Sequence, residues 1–268
     1  MNNQPIGILD SGVGGLSIWQ EIIRLLPNES TIYIADSINC PYGTKSEKEI
    51  YNLSKRLVKF LLDKDSKLIV LACNTITVSC LDRLRLEFPS IPIVGTVPVV
   101  KTASEVSKNR KIGILSTSHT AKSTYQKNLI QKFASNCSVA NIGTNKIVPF
   151  IERGEVGSEK FMLILKLELK LFIETEVDTL VLGCSHFPFI RDQIQNILGS
   201  KVTILDSGGA IARHVKKVLE NNSCLATVNS SQHKLYTTGD NEIFGLVVKA
   251  LLGKKIASMI KSVEAVSI

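Results

Sequence analysis

Leu68-Ile69-Val70-Leu71-Ala72-Cys73-Asn74-Thr75 is an apolar run that stops on a cysteine followed by two polar residues. Thr179-Leu180-Val181-Leu182-Gly183-Cys184-Ser185-His186 repeats the pattern. Short runs of aliphatic and β-branched residues suit strands buried on both faces, as in parallel sheets. Ile6-Gly7-Ile8-Leu9-Asp10-Ser11 likewise returns as Ile112-Gly113-Ile114-Leu115-Ser116-Thr117, and Ile93-Val94 maps onto Ile204-Leu205. The order and nearly constant offset of these matches predict a duplication. Two similar lobes then face each other, each supplying a cysteine from an equivalent place.

Outward from these segments, β-branched runs alternate with longer amphipathic stretches, the pattern of repeated βαβ units and an α/β fold. Strands are expected at 6–9, 31–35, 68–71, 93–95, 111–115, 139–142, 179–182, 203–205 and 235–238. Helices are expected between them, among others at 16–26, 47–62 and 76–88. Ser46 and Glu49 have the spacing of a capping box, which sets a helix start there. No linker or low-complexity stretch separates the lobes.

The 268 residues, 44% of them hydrophobic, suffice for one large α/β domain or two lobes, each of roughly 100–150 residues. No apolar run approaches the roughly 18–20 residues that a membrane span requires, so no membrane partner is expected. Residues 1–5 are polar, uncharged and lead straight into the first strand, unlike a secretory signal. The expected location is cytoplasmic. There the six cysteines are thiols rather than a disulfide framework. No CxxC pair occurs and His119, His186, His214 and His233 are scattered, so no structural metal is expected. The net charge of +8 comes from lysines spread through amphipathic segments, with a local excess only around Lys249, Lys254, Lys255 and Lys261. That describes a solvated surface and predicts no nucleic-acid partner.

Cys73 and Cys184 each follow a buried-strand pattern and precede a helix, which places them at the carboxyl ends of strands, where open α/β sheets bind ligands. Helix starts there offer free N–H groups and partial positive charge, able to hold a carboxylate and to lower a thiol's pKa. A thiolate in one lobe can then take a proton while a thiol in the other gives one. Either cysteine alone would pass as a packing residue. Asn74-Thr75 after the first and Ser185-His186 after the second argue otherwise, because apolar packing does not require them. Cys40, Cys80, Cys137 and Cys224 lack this context and read as structural.

Asp10-Ser11-Gly12-Val13-Gly14-Gly15 follows the first strand and opens a helix, so its backbone can approach an anion closely. It lacks the Gly-Lys-Ser/Thr ending of a P-loop, and the dinucleotide fingerprint would need glycine at Ser17. A carboxylate suits it better than a phosphate. Asp10 reads equally well as a partner for an ammonium group or a thiol, or as a helix cap. Pro41-Tyr42-Gly43 lies at the ligand edge or forms an ordinary turn. Glu152 reads locally as a surface charge.

In order and spacing, Asp10-Ser11-Gly12-Val13-Gly14-Gly15-Leu16, Pro41-Tyr42-Gly43, Ala72-Cys73-Asn74-Thr75 and Gly183-Cys184-Ser185-His186 together resemble the motifs of the glutamate racemase family, over a span reaching about Gly239. The resemblance implies two pseudo-symmetric α/β lobes, each a mainly parallel sheet flanked by helices, with the active site at their interface. It implies one lobe from 1–98 plus 209–268 and a second from 99–208. The implied activity interconverts L- and D-glutamate without pyridoxal phosphate, other cofactor or metal, and supplies D-glutamate for peptidoglycan.

By the same resemblance, Cys73 is the base for D-glutamate and Cys184 the base for L-glutamate, assisted by Asp10, Glu152 and His186. Asp10, Ser11, Tyr42, Gly43, Asn74, Thr75, Ser185 and His186 match substrate-contacting positions. Ser185 stands where threonine is usual and Phe187 where tyrosine is usual. The serine retains the hydroxyl, whereas loss of the phenol puts the hold on His186 in question. A homodimer is implied, and regulation through a long amino-terminal extension is not. Two other readings stay open: a related racemase acting on aspartate, and a two-lobed module that only binds an amino acid.

Overall fold

The computed structural model describes residues 3–227 and 231–268; residues 1–2 and 228–230, which the expected first lobe includes, lie outside them. The strands are β1 (Ile6–Asp10), β2 (Thr31–Ala35), β3 (Leu68–Leu71), β4 (Ile93–Gly95), β5 (Lys111–Ser116), β6 (Ser138–Gly143), β7 (Thr179–Gly183), β8 (Thr203–Leu205), β9 (His233–Thr237) and β10 (Ile260–Ala265). They form a six-stranded sheet in the order β10-β9-β2-β1-β3-β4 and a four-stranded sheet in the order β6-β5-β7-β8. Each pairing is parallel. The fold is the expected α/β class.

The repeat extends to hydrogen-bond register. Ile6 pairs with Leu68 in the first sheet, and their sequence counterparts Ile112 and Thr179 pair in the second. Ile69 opposite Ile93 has its counterpart in Leu180 opposite Ile204. A shift of one residue would turn every side chain to the other face, so matched registers place the residues after β3 and β7 equivalently.

The helices form where the apolar period changes to that of a helix. Leu16–Leu25 buries Leu16, Trp19, Ile22 and Ile23, at the three- and four-residue spacing of one face. That face packs on the helix Gly208–Asn221. Full burial of each such side chain contributes roughly 1.5–3 kcal/mol. Ser46 caps Glu47–Asp63 as expected: its hydroxyl accepts from the Glu49 N–H at 3.3 Å, and the Glu49 carboxylate accepts from the Ser46 N–H at 2.9 Å.

The strand β10 is an addition to the expected set. Its sequence, Ile-Lys-Ser-Val-Glu-Ala, is half exposed at the sheet edge, and its lysine-rich surroundings read as solvated surface. Val13, Ile147, Val148, Ile151 and Phe187 belong to one apolar cluster that contains core residues of both sheets, among them Ile8 and Val70 of the first and Leu115 and Leu182 of the second. That continuity seats the carboxyl edges of the two sheets against each other.

Candidate active site

β3 ends at Leu71 and β7 at Gly183; Cys73 and Cys184 follow them, and both line a single small cavity. Ser11, Tyr42, Gly43, Asn74, Thr75, Ser185 and His186 line the same cavity. Asp10 and Glu152 stand just behind it, in contact with Ser185 and His186. The structure thus brings all the expected site residues together. The space left is about 10 Å³, the size of one water molecule at most.

Asp10, at the end of β1, is fully buried. Its Oδ1 accepts from the Gly12 N–H at 2.8 Å and its Oδ2 from the Ser185 hydroxyl at 3.0 Å. Burial pushes its carboxyl up to about 6, although the neighbouring His186 charge opposes the rise. The Ser11 hydroxyl lies 3.8 Å from the Cys73 sulfur. Burial also pushes the Cys73 thiol far above its ordinary range, with the Asp10 charge adding to the effect. The helix start was expected to lower it; the Ile76 N–H does act in that direction but is outweighed. The surroundings of Cys73 thus disfavour its thiolate.

The second cysteine has different company. Cys184 Sγ lies 3.7 Å from His186 Nδ1, while His186 Nε2 is hydrogen-bonded to Glu152. Burial alone would lower the His186 pKa. Hydrogen bonds to Cys184, Cys40 and Glu152, with the Glu152 charge, instead raise it well above the ordinary value. An imidazolium thus stands ready to donate to the Cys184 sulfur when that atom carries charge. Glu152 also accepts from the Val13 N–H at 2.9 Å, so the glycine loop holds a carboxylate of the chain itself. Gly12 and Gly14 permit this approach: a Cβ on either would collide with Glu152 or with the His186 ring.

Asn74 carries a buried side-chain N–H group without a hydrogen-bond partner, unusual for a buried donor, and it sits beside the cavity. The Thr75 hydroxyl is 2.9 Å from that of Thr117. The Tyr42 hydroxyl donates to Asp36 at 2.5 Å, so Tyr42 faces the cavity with its ring and backbone. Phe187, fully buried, contributes packing only, and His186 is oriented by Glu152 and Cys184 instead.

Several neighbours were not singled out from the sequence. Thr117 and Val148 line the cavity, beside Pro41 of the Pro41-Tyr42-Gly43 motif. Tyr33 donates to the Gly12 carbonyl at 2.6 Å, and the Ser17 hydroxyl to the Ser185 carbonyl at 2.7 Å across the lobes. Thr117 was findable, being the repeat counterpart of Ser11. Cys40, read as structural, lies against Glu152 and His186. Tyr33 and Ser17 gave no local signal.

Residues 6–215 match the profile of the family described as Asp/Glu/Hydantoin racemase. The chain is 38% identical to a glutamate racemase of Clostridium botulinum over 84% of its own length and 87% of that protein's. Its fold is similar to the crystal structure of a glutamate racemase isoform from Bacillus anthracis, with a TM-score of 0.90, 32% identity, and 100% and 99% of the two chains covered. It is similar also to glutamate racemase from Francisella tularensis in complex with D-glutamate, with a TM-score of 0.86, 31% identity, and coverage of 100% and 98%.

Proposed function

The chain belongs to the Asp/Glu/hydantoin racemase family and is an isomerase, and from this premise we propose that it interconverts L- and D-glutamate by proton transfer between Cys73 and Cys184. The carrying observation is that two thiols, from equivalent strand ends of two lobes, line one cavity. The unpartnered Asn74 donor favours an acceptor-rich ligand such as a carboxylate. The names of the relatives above favour glutamate as the substrate.

Taken from the L side, Cys184 removes the α-proton as a thiolate, with His186 and Glu152 supporting its charge. Cys73, a thiol, delivers its own proton to the opposite face of the carbanion. The reverse direction exchanges the roles, with Asp10 beside Cys73 as the nearest group to assist that thiol. Ser11, Asn74, Thr75, Ser185, His186 and the backbone around Tyr42 and Gly43 hold the two substrate carboxylates. Fixed donors and excluded water stabilise the carbanion without a cofactor.

A cavity of about 10 Å³ does not admit an amino acid, so the lobes or their loops part for entry and close for the reaction. Glutamate-dependent protection from hydrogen exchange along the lobe boundary is expected, and its absence would remove the closure step. The lobes are those of 1–98 with 209–268, and of 99–208. The enzyme acts in the cytoplasm, where its D-glutamate serves peptidoglycan synthesis. Among the described residues no helix is long and apolar enough to cross a membrane. A homodimer belongs to the same reading; exposed Leu163, Leu167 and Leu171 on the helix Glu159–Glu174 support it, since spacing by four sets them on one face.

Incubation with L-glutamate in deuterated water tests the proposal. D-glutamate carrying deuterium at Cα is expected; neither product nor label would reduce the protein to a binder of amino acids. Aspartate run in parallel decides the substrate, and faster turnover of aspartate would displace glutamate.

A further inference from the structure

Cys40 takes no part in the proton transfer, yet its sulfur, a Glu152 oxygen and a His186 nitrogen all lie within 4.8 Å of one another. Tetrahedral zinc bound by these three atom types separates neighbouring donors by about 3.3–3.8 Å, so the hydrogen-bonded His186–Glu152 pair parts slightly to admit the ion beside Cys40, giving a three-donor site with a fourth position open. Among the described residues this is the one such group of histidine, cysteine and carboxylate donors. It is not isolated from solvent, for Glu152 forms part of the wall of an open cavity of about 210 Å³ shared with Ser37 and Asp240.

We propose that Cys40, Glu152 and His186 form an inhibitory binding site for zinc or a similar borderline-soft divalent cation. Thiolate and imidazole ligands select such ions over magnesium and calcium. Zinc is held there by a thiolate, a neutral imidazole and a carboxylate, and the protons displaced from the ligand atoms leave to solvent. The bound ion occupies the Glu152 carboxylate and the His186 ring that support the Cys184 sulfur, and thereby blocks racemisation. Only this inhibitory consequence rests on the function proposed above; the site itself does not.

The test uses the full chain, freed of metal and kept reduced with a non-thiol reductant, titrated with cobalt(II) as a spectroscopic probe. A thiolate-to-cobalt charge-transfer band saturating at one ion per chain is expected. It should vanish in Cys40→Ser and persist in Cys184→Ser and Cys224→Ser. Glu152→Gln should weaken binding by at least about tenfold, which keeps the test decisive if Cys40→Ser folds poorly. Zinc should displace the cobalt and abolish glutamate racemisation by the wild type. No band in the wild type, or a band that survives Cys40→Ser, would overturn the site. Cobalt binding without any racemase activity would instead sink the proposed function and leave the site standing.

Discussion

His186 is held at both ring nitrogens: Nε2 by Glu152, which comes from the helix Val148–Glu152, and Nδ1 facing the Cys184 sulfur at 3.7 Å. The carboxylate and the thiol therefore act on one another through a single ring. The Glu152 hydrogen bond and charge help keep that ring protonated above the ordinary histidine range. The imidazolium is present at low pH and lost as pH rises through the raised value. Glu152→Gln should move this loss to lower pH and reduce kcat with L-glutamate roughly 10²-fold. A pH profile of kcat checks it; an alkaline limb left in place would show that Glu152 does not set the ring's charge.

In the proposed mechanism, every turnover in either direction needs both an acid and a base on opposite faces of Cα. Cys73→Ala and Cys184→Ala should each reduce racemisation by at least about 10²–10⁴-fold in both directions, measured by chiral chromatography. A variant retaining activity within tenfold of wild type would exclude its thiol from the reaction.

Asp10 costs the fold stability at neutral pH. Its carboxyl is raised from 3.8 to about 6, so the folded state binds the proton more tightly than the unfolded one. The stability associated with that proton is full below the unfolded pKa and is lost as pH rises through about 6. Asp10→Asn should therefore be more stable than wild type at pH ~7, by on the order of 2–3 kcal/mol, with a smaller gain at pH ~5. Urea unfolding at both values measures it. No gain at neutral pH would mean that burial does not dominate the environment of Asp10.

Lys67, preceding β3, forms a buried ion pair with Glu29 at 2.6 Å and also donates to the Cys224 carbonyl at 2.7 Å. Removing one partner leaves the other charge uncompensated, which costs about 3–5 kcal/mol. Lys67→Met should lower the unfolding free energy by that amount, and adding Glu29→Leu should recover much of it. If the double variant is no more stable than the single one, the charge pairing is not the cause.

Gly14 lies directly beneath the His186 imidazole. In Gly14→Ala the ring must move, with an overpacking cost of about 1–3 kcal/mol and a severe loss of kcat. Gly157→Ala, where a Cβ meets open space, should leave both stability and rate unchanged. Steady-state kinetics beside thermal melts separate the two variants, and a Gly14→Ala enzyme of normal rate would refute the required fit.

Most of the fold was legible because its signals are local. Buried parallel strands read as apolar runs, helices as a three-to-four residue period, and Ser46 with Glu49 as a helix start; each needs only neighbours in the chain. β10 escaped because a half-exposed edge strand has neither a continuous apolar run nor a clean alternation.

The sequence by itself determined the parallel α/β architecture, the repeat and the pair of cysteines at equivalent strand ends, since backbone periodicity and side-chain polarity are written residue by residue. Only the tertiary structure decided that Glu152, outwardly a surface charge, grips His186, that Cys40 joins them, that the Tyr42 hydroxyl is spent on Asp36, and that burial raises the Cys73 thiol. Those properties come from desolvation and from charges brought together across two lobes. The energy of a charge depends on what surrounds it in space, and the order of residues along the chain does not carry that distance.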